Sequence, residues 1–431
     1  MGLARHHRRL VLSLCVLTCL LYIERSTFPL FVKNSKELAH LSKTEAGRLL
    51  SLFYVGYFVT QLPGGWLAWQ YGGDVVLVRS TLAWGAITLT ISAEVGGPAL
   101  LPLLRVSVGC LQGLAFPAIH SVLADSLAAE DRPRVVALVT SGMYFGTALA
   151  QGHWGLARTE MGWVGAAAVA WALHHHVLRG PAAAAAERSP GARREQPTVC
   201  GFLRSPAVLV VLSSSFAFHV SAAAPFASSF EASKKRLHQW TFYTLLSWLP
   251  FLFHEQEVDS TVLRATPFIA MWAVTASSGA AADALAKRLG TLSSRKLMTC
   301  GGLCLSVVPC HFLRPGMGAQ MSVLLIALCL GCATLSRGGF GINHLDLAPT
   351  HAGLVLALVN SAGTVAGVVG VAVAGALLDG NDGQSEWGLV FALSGCVAIA
   401  GSLLFAIFAS VEDQFSKPKS ERLPLHSDSA K

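Results

Sequence analysis

The chain has 431 residues, of which 53% are hydrophobic and 13% charged, with a formal net charge of +8. Soluble domains carry about 25% charged residues, so a soluble enzyme, a disordered chain and a nucleic-acid binder are all excluded before any motif is read. Apolar stretches of about 20 residues, the length that crosses a bilayer as a helix, recur from end to end and mark an all-α, polytopic membrane protein.

The N-terminal Arg5-His6-His7-Arg8-Arg9 and the apolar run from Leu10 have the layout of a signal peptide. That run continues past Phe31 and contains Glu24 and Arg25, so it reads as the first of twelve spans, 10–32. The first half continues with 47–69, 75–95, 99–124, 134–156 and 162–177. The fifth and sixth spans look shortened, the sixth barely long enough to cross. The stretch 179–205, rich in Arg, Ala and Pro, reads as a flexible connection between bundles. The second half begins with 207–220, continued at 241–253, followed by 262–282, 296–312, 320–340, 351–378 and 388–410. The expected organisation is therefore an N-terminal six-helix bundle (1–178), a linker (179–205), a C-terminal six-helix bundle (206–410) and a polar tail (411–431).

Charge placement predicts the orientation. Basic residues gather at the N-terminus, at Arg132 and Arg134, through Arg179–Arg204, at Lys287, Arg288, Arg295 and Lys296, and in the tail. These are alternate loops, so all can lie on one face, the cytoplasmic one, with both termini on it. The +8 is then a topology signal, and no nucleic-acid polymer is implied. Gly64-Gly65…Gly72-Gly73-Asp74…Arg79 after the second span and Gly279…Asp283…Lys287-Arg288…Arg295-Lys296 after the eighth form a weak repeat. Duplicated halves around a central site characterise secondary transporters.

A charge at the centre of a membrane helix costs about 2.5–3.5 kcal/mol, so each one needs a reason. Arg25 is neutralised locally by its neighbour Glu24, snorkels toward the far end of the span, or is a cavity cation that binds an anionic substrate. Arg105 lies in line with Gly109 and Gly113 at four-residue steps, with Gln112 on a neighbouring stripe. Small residues let another helix approach that face, so the guanidinium points into the bundle. With no acidic neighbour on its own helix, Arg105 awaits either a carboxylate from another helix or a substrate anion, and its fork suits phosphate or carboxylate. Arg79 reads as an interfacial anchor.

Weaker candidates for cavity contacts are Tyr57 and Gln61, one turn apart, Tyr243, which precedes Ser247, Trp248 and Pro250, and Asn360 on a stripe with Gly363, Thr364 and Gly367. The run His174-His175-His176 ends the sixth span and reads as interfacial, since no acidic or Cys partner completes a metal site. Cys329-Leu-Gly-Cys332 has the spacing of a redox or zinc half-site but no second pair, so neither a metal nor a cofactor is expected. Nucleophile, base or metal clusters of a membrane enzyme are not found, so a non-enzymatic protein is expected.

In order along the chain come Tyr22…Arg25, Gly56-Tyr57…Thr60-Gln61-Leu62-Pro63-Gly64-Gly65 and Arg105…Gly109…Gly113…Phe116-Pro117-Ala118. They are followed by Leu245-Leu246-Ser247-Trp248-Leu249-Pro250, Arg295-Lys296-Leu297-Met298, Asn343-His344-Leu345-Asp346-Leu347-Ala348-Pro349 and Asn360-Ser361-Ala362-Gly363. This series resembles the anion–cation symporter family, the solute carrier 17 type, of the major facilitator superfamily, and is most similar to its vesicular nucleotide branch. The resemblance implies the major facilitator fold, alternating access, a small anionic substrate such as ATP, and residence in secretory or lysosome-like vesicles. It also implies uptake driven by membrane potential and stimulated by chloride, with the protein working as a monomer.

Proton-coupled members carry a glutamate where Gln112 stands, and a neutral amide carries no proton, which favours a potential-driven mechanism. Leu50 stands where glutamate transporters have a histidine. Trp69-Gln70 departs from the superfamily's acidic–basic signature after the second span, and 220–240 is either a loop excursion or a gene-model insertion. Two alternatives remain: a sodium- or proton-coupled phosphate or carboxylate cotransporter at the plasma membrane or another organelle, and a transport-inactive regulatory homologue.

Overall fold

The computed structural model describes residues 5–35, 38, 43–94, 97–128, 130–152, 157–186, 199–228, 260–310, 312, 319–378 and 384–415. All regular structure among them is helical. Lipid offers the backbone no hydrogen bonds, so a spanning segment must satisfy its N–H and C=O groups internally. In the first half α1 (Arg5–Asn34), α2 (Lys43–Tyr71), α3 (Gly73–Ser92), α4 (Gly97–Gly113), α5 (Ala115–Ser126), α6 (Arg132–Gly152) and α7 (Ala157–Ala186) follow one another. After the short α8 (Val199–Leu203) come α9 (Pro206–Ser228), α10 (Thr261–Leu289), α11 (Thr291–Cys310), α12 (Ala319–Leu335), α13 (Phe340–Leu347), α14 (Ala352–Leu378) and α15 (Gln384–Phe408).

The expected spans fall on these helices with ends shifted by a few residues; 241–253, with Tyr243, lies outside the described residues. Arg8–Val32, Gly73–Ser92, Gly97–Ser126, Val262–Leu289 and Val323–Leu347 are long and apolar enough to cross a bilayer. Large apolar side chains face outward, Trp163 and Val262 at 72% exposure each, as a lipid-facing surface requires.

Four features differ from the expectation. The fourth span bends at Leu114 between α4 and α5, because the ring of Pro117 crowds the carbonyl of Gly113. The sixth span is not short: α7 has 30 residues and continues to Ala186, since the alanine run that looked like linker is a strong helix former. The fifth span, α6, has 21 residues, enough for about 30 Å of hydrocarbon. The tenth span does not end at Phe340 but turns through a 3₁₀ segment at Ser336–Gly338 and continues as α13.

Two apolar cores form, one that fills the first half and extends into α10, α12, α13 and α14 of the second, and one within the second half. Lipid removes the hydrophobic force between helices, so close van der Waals packing at small residues takes its place. A Cβ on Gly109 would meet the backbone of Phe53, and one on Gly113 would meet Thr60 and Tyr57, which is how α4 lies so near α2. The halves meet through α6 against α10 and through α2 and α5 against α14. In the repeat, α2 corresponds to α10 and α6 to α14, so the second helix of each half packs on the fifth helix of the other.

These contacts sit at the end that carries the basic loops. Gly65 abuts Leu354 and Gly353, Gly279 abuts Pro133 and Arg134, and Trp69 stacks on His351 with ring centroids 6.5 Å apart. Trp69 thus holds a bundle-to-bundle contact in the loop where the superfamily's charged signature is absent.

Candidate functional site

Adjacent residues on a helix project about 100° apart, so Glu24 and Arg25 leave α1 in different directions. Glu24 faces α4, where its Oε1 accepts a hydrogen bond from Arg105 Nη1 at 2.6 Å and its Oε2 accepts one from Gln112 Nε2 at 3.0 Å. Gln112 Oε1 in turn accepts from Arg25 Nε at 2.9 Å. Side chains from two helices thus form a continuous chain, Arg105–Glu24–Gln112–Arg25, that is buried throughout. The anion that Arg105 required comes from another helix.

Aromatic rings complete the enclosure. The Arg105 guanidinium lies 3.9 Å from the Phe28 ring centroid, and that of Arg25 lies 4.6 Å from each of Tyr22 and Tyr57. A π face attracts a desolvated cation and supplies charge stabilisation where no water reaches. Within this chain of four described residues, two guanidinium groups share one carboxylate and one neutral amide, a formal charge of one positive unit. A glutamate at position 112 would cancel it.

Tyr22 and Tyr57 separate this cluster from a cavity between the bundles. Its wall takes Tyr22, Tyr57, His120 and Thr140 from the first half and Ser215, His219, Arg337 and Asn360 from the second. No carboxylate lines it among the described residues, and Arg337 is its one fixed charge. Of the sequence candidates, Tyr57 and Asn360 reach the wall directly. Arg25 stands one ring behind it, Gln112 lies one hydrogen bond further, and Arg105 lies beyond Gln112 and Glu24. Gln61 is fully buried and its amide has no hydrogen-bond partner among the described residues.

Sequence reading missed the roles of Glu24 and His344, and it missed Arg337, His120 and His219 altogether. His120 Nδ1 and His344 Nε2 share a hydrogen bond of 2.8 Å across the two halves. His219 Nδ1 donates to the Ser215 carbonyl at 2.7 Å, which leaves Nε2 as its acceptor nitrogen. The available signal was one of rarity: Arg337 is the one charge in the tenth span, and a charge there needs a reason.

The histidine run is corrected at one position. His174 is exposed, but His175 is 1% exposed, accepts or donates at Nδ1 with Ser13 Oγ at 3.0 Å, and pairs at Nε2 with Asp74 Oδ1 at 3.1 Å. This Ser–His–Asp line ties together the starts of α1 and α3 and the end of α7. None of its members lines the inter-bundle cavity, so it acts as a structural lock. At the same end Arg295 clasps Asp346 through Nε at 2.8 Å and Nη2 at 3.3 Å. Arg79 is exposed, as an interfacial anchor should be. No group of three or more metal-ligating side chains occurs among the described residues.

Comparison with known proteins agrees with this architecture. The family model described as Major Facilitator Superfamily matches residues 14–345. Probable anion transporter 5 of Arabidopsis thaliana is 30% identical, over 92% of this chain and 95% of its own length. The human voltage-gated purine nucleotide uniporter SLC17A9 is 29% identical over 92% of this chain and 90% of its own, and human sialin is 28% identical over 85% and 76%.

Proposed function

The chain belongs to the Major Facilitator Superfamily, as an integral membrane anion transporter of the solute carrier 17 type, and from that premise we propose that it carries nucleotides such as ATP. Uptake is driven by membrane potential, into secretory or lysosome-like vesicles whose lumen is positive, with the basic loops in the cytoplasm. One observation carries the reading: the buried Arg105–Glu24–Gln112–Arg25 chain keeps net positive charge beside an inter-bundle cavity with no carboxylate on its described wall. An anion entering that cavity is attracted by a field that water does not screen.

Alternating access then needs little more than rocking of two bundles about the contacts of α2 with α14 and of α6 with α10. Arg25 acts through the Tyr22 and Tyr57 rings, Gln61 and Asn360 offer amides, and Tyr243 is proposed as a further contact. Gln112 keeps the cluster positive and without a second titratable group, which supports a uniporter over a proton-coupled carrier. Chloride is proposed as an activator at the same positive cluster.

A second reading has its own support. Glu24 is a membrane-buried carboxylate, and sialin is among the relatives, so proton-coupled carriage of a phosphate or carboxylate is the alternative. Purified protein in liposomes decides between them. Labelled ATP accumulating under an imposed potential with no ion gradient supports the uniporter. Phosphate or carboxylate uptake that requires a proton or sodium gradient, with no ATP uptake, supports the alternative.

A further inference from the structure

We infer that Arg337 is the substrate-binding cation of the C-terminal half, holding the phosphate end of the transported anion within the inter-bundle cavity. The inference rests on the anion-transport reading above and deepens it. Arg337 sits where α12 gives way to the 3₁₀ turn Ser336–Gly338, and that turn is held firmly. A Cβ on Gly338 would meet the Met298 side chain and the Ser278 carbonyl, one on Gly339 would meet Thr299 and the Arg295 carbonyl, and Thr299 Oγ1 accepts from Phe340 N–H at 2.9 Å. Such packing fixes the turn against α10 and α11 and directs the side chain across the cavity.

The chemistry there lacks one component. The Arg337 guanidinium lies 4.9 Å from the Phe218 ring centroid and interacts with the Tyr144 hydroxyl, while among the described residues its buried Nε has no hydrogen-bond partner and no carboxylate lines the cavity. Arg105, by contrast, has Glu24 as a built-in counter-anion. Arg337 is half-buried and faces a cavity wall with no carboxylate among the described residues, and a bound phosphate is the group that completes it, received bidentately by the guanidinium fork. Tyr22 and Tyr57 stand on the opposite wall, backed by Arg25, so an anion held at Arg337 lies between cations of both bundles. That position lets the substrate itself link the halves.

The test uses the purified full-length protein, with ATP, ADP, AMP and inorganic phosphate as probes of binding by thermal shift and of uptake in liposomes. The wild type is expected to bind more tightly with each added phosphate. Arg337→Gln should weaken ATP at least tenfold and flatten that dependence on phosphate number, while Arg337→Lys, which keeps the charge but loses the fork, should weaken it several-fold. Arg337→Lys also serves if the glutamine variant fails to fold.

Wild-type protein that binds none of the four probes overturns the function and this assignment together. Wild-type binding that survives unchanged in the Arg337 variants overturns the assignment alone. Phosphate binding without ATP binding, lost in the variants, refutes the nucleotide reading and leaves Arg337 in place.

Discussion

Gln112 shows how one neutral side chain sets the electrostatics of a buried site. Its amide donates to Glu24 and accepts from Arg25, so it joins a carboxylate to a guanidinium without adding charge. Gln112→Glu is expected to neutralise the cluster while ionised and to slow nucleotide uptake at neutral pH. Lowering the pH protonates the new carboxyl and restores the positive charge, so uptake by the variant should rise toward acid relative to wild type. An uptake ratio that is flat with pH would remove Gln112 from the account.

The Glu24–Arg105 pair makes a stability prediction. Removing one partner of a buried ion pair strands the other charge, a loss of about 3–5 kcal/mol. Glu24→Gln and Arg105→Met should each lower the thermal midpoint sharply, and the double variant should lose much less than the two together. Additive losses would mean the two residues do not act as a pair. The arginines were legible in the sequence because charge is so sparse in the spans. The partner of Arg105 was not, because Glu24 lies 81 positions away and only the register of α1 against α4 brings them together.

At the level of elements, periodicity and length located nearly every described helix, but breaks within helices were harder to read. Ser336-Arg337-Gly338-Gly339 looks like the end of a span, and the chain instead turns and continues as α13. The alanine run after His176 reads equally as linker or helix from composition, and α7 incorporates it. The glycines of the internal repeat were legible as a pattern but not as a device. Gly65 and Gly279 are the points at which α2 and α10 touch the opposite half, and a Cβ on Gly279 would meet the backbone of Pro133 and Arg134.

Gly279→Val is therefore expected to part the bundles at the basic face. A cysteine introduced by Ala137→Cys in a background lacking other cysteines should label faster from that face when Gly279→Val is present. Equal labelling rates would show that this contact does not close the protein. The His120–His344 hydrogen bond is a second link between the halves, and replacing either ring leaves a buried nitrogen without its partner, at about 1–3 kcal/mol. His120→Ala should lower the thermal midpoint, and His344→Ala made on top of it should add little.

For the whole molecule, sparse charge and alternate basic loops marked a polytopic helical membrane protein, and the resemblance carried by its motifs placed the chain among bundle-forming transporters. The crossed arrangement, in which the second helix of each half packs on the fifth of the other, needed three dimensions, as did the cavity it encloses. The stretch 220–240 is described only to Ser228, where α9 is still helical, so the chain does not leave the helix at His219. Sequencing the transcript tests the segment directly, since an mRNA containing the codons for 221–239 rules out a gene-model insertion.

The central claim is that net positive charge buried beside the cavity makes this an anion carrier driven by membrane potential. The most direct measurement is uptake of labelled ATP by liposomes containing the purified full-length protein, under an inside-positive potential with no proton or sodium gradient. The account predicts accumulation that grows with the imposed potential and persists when a protonophore is present at clamped voltage. ATP uptake that is absent under potential, or that appears only with a proton or sodium gradient, would contradict it.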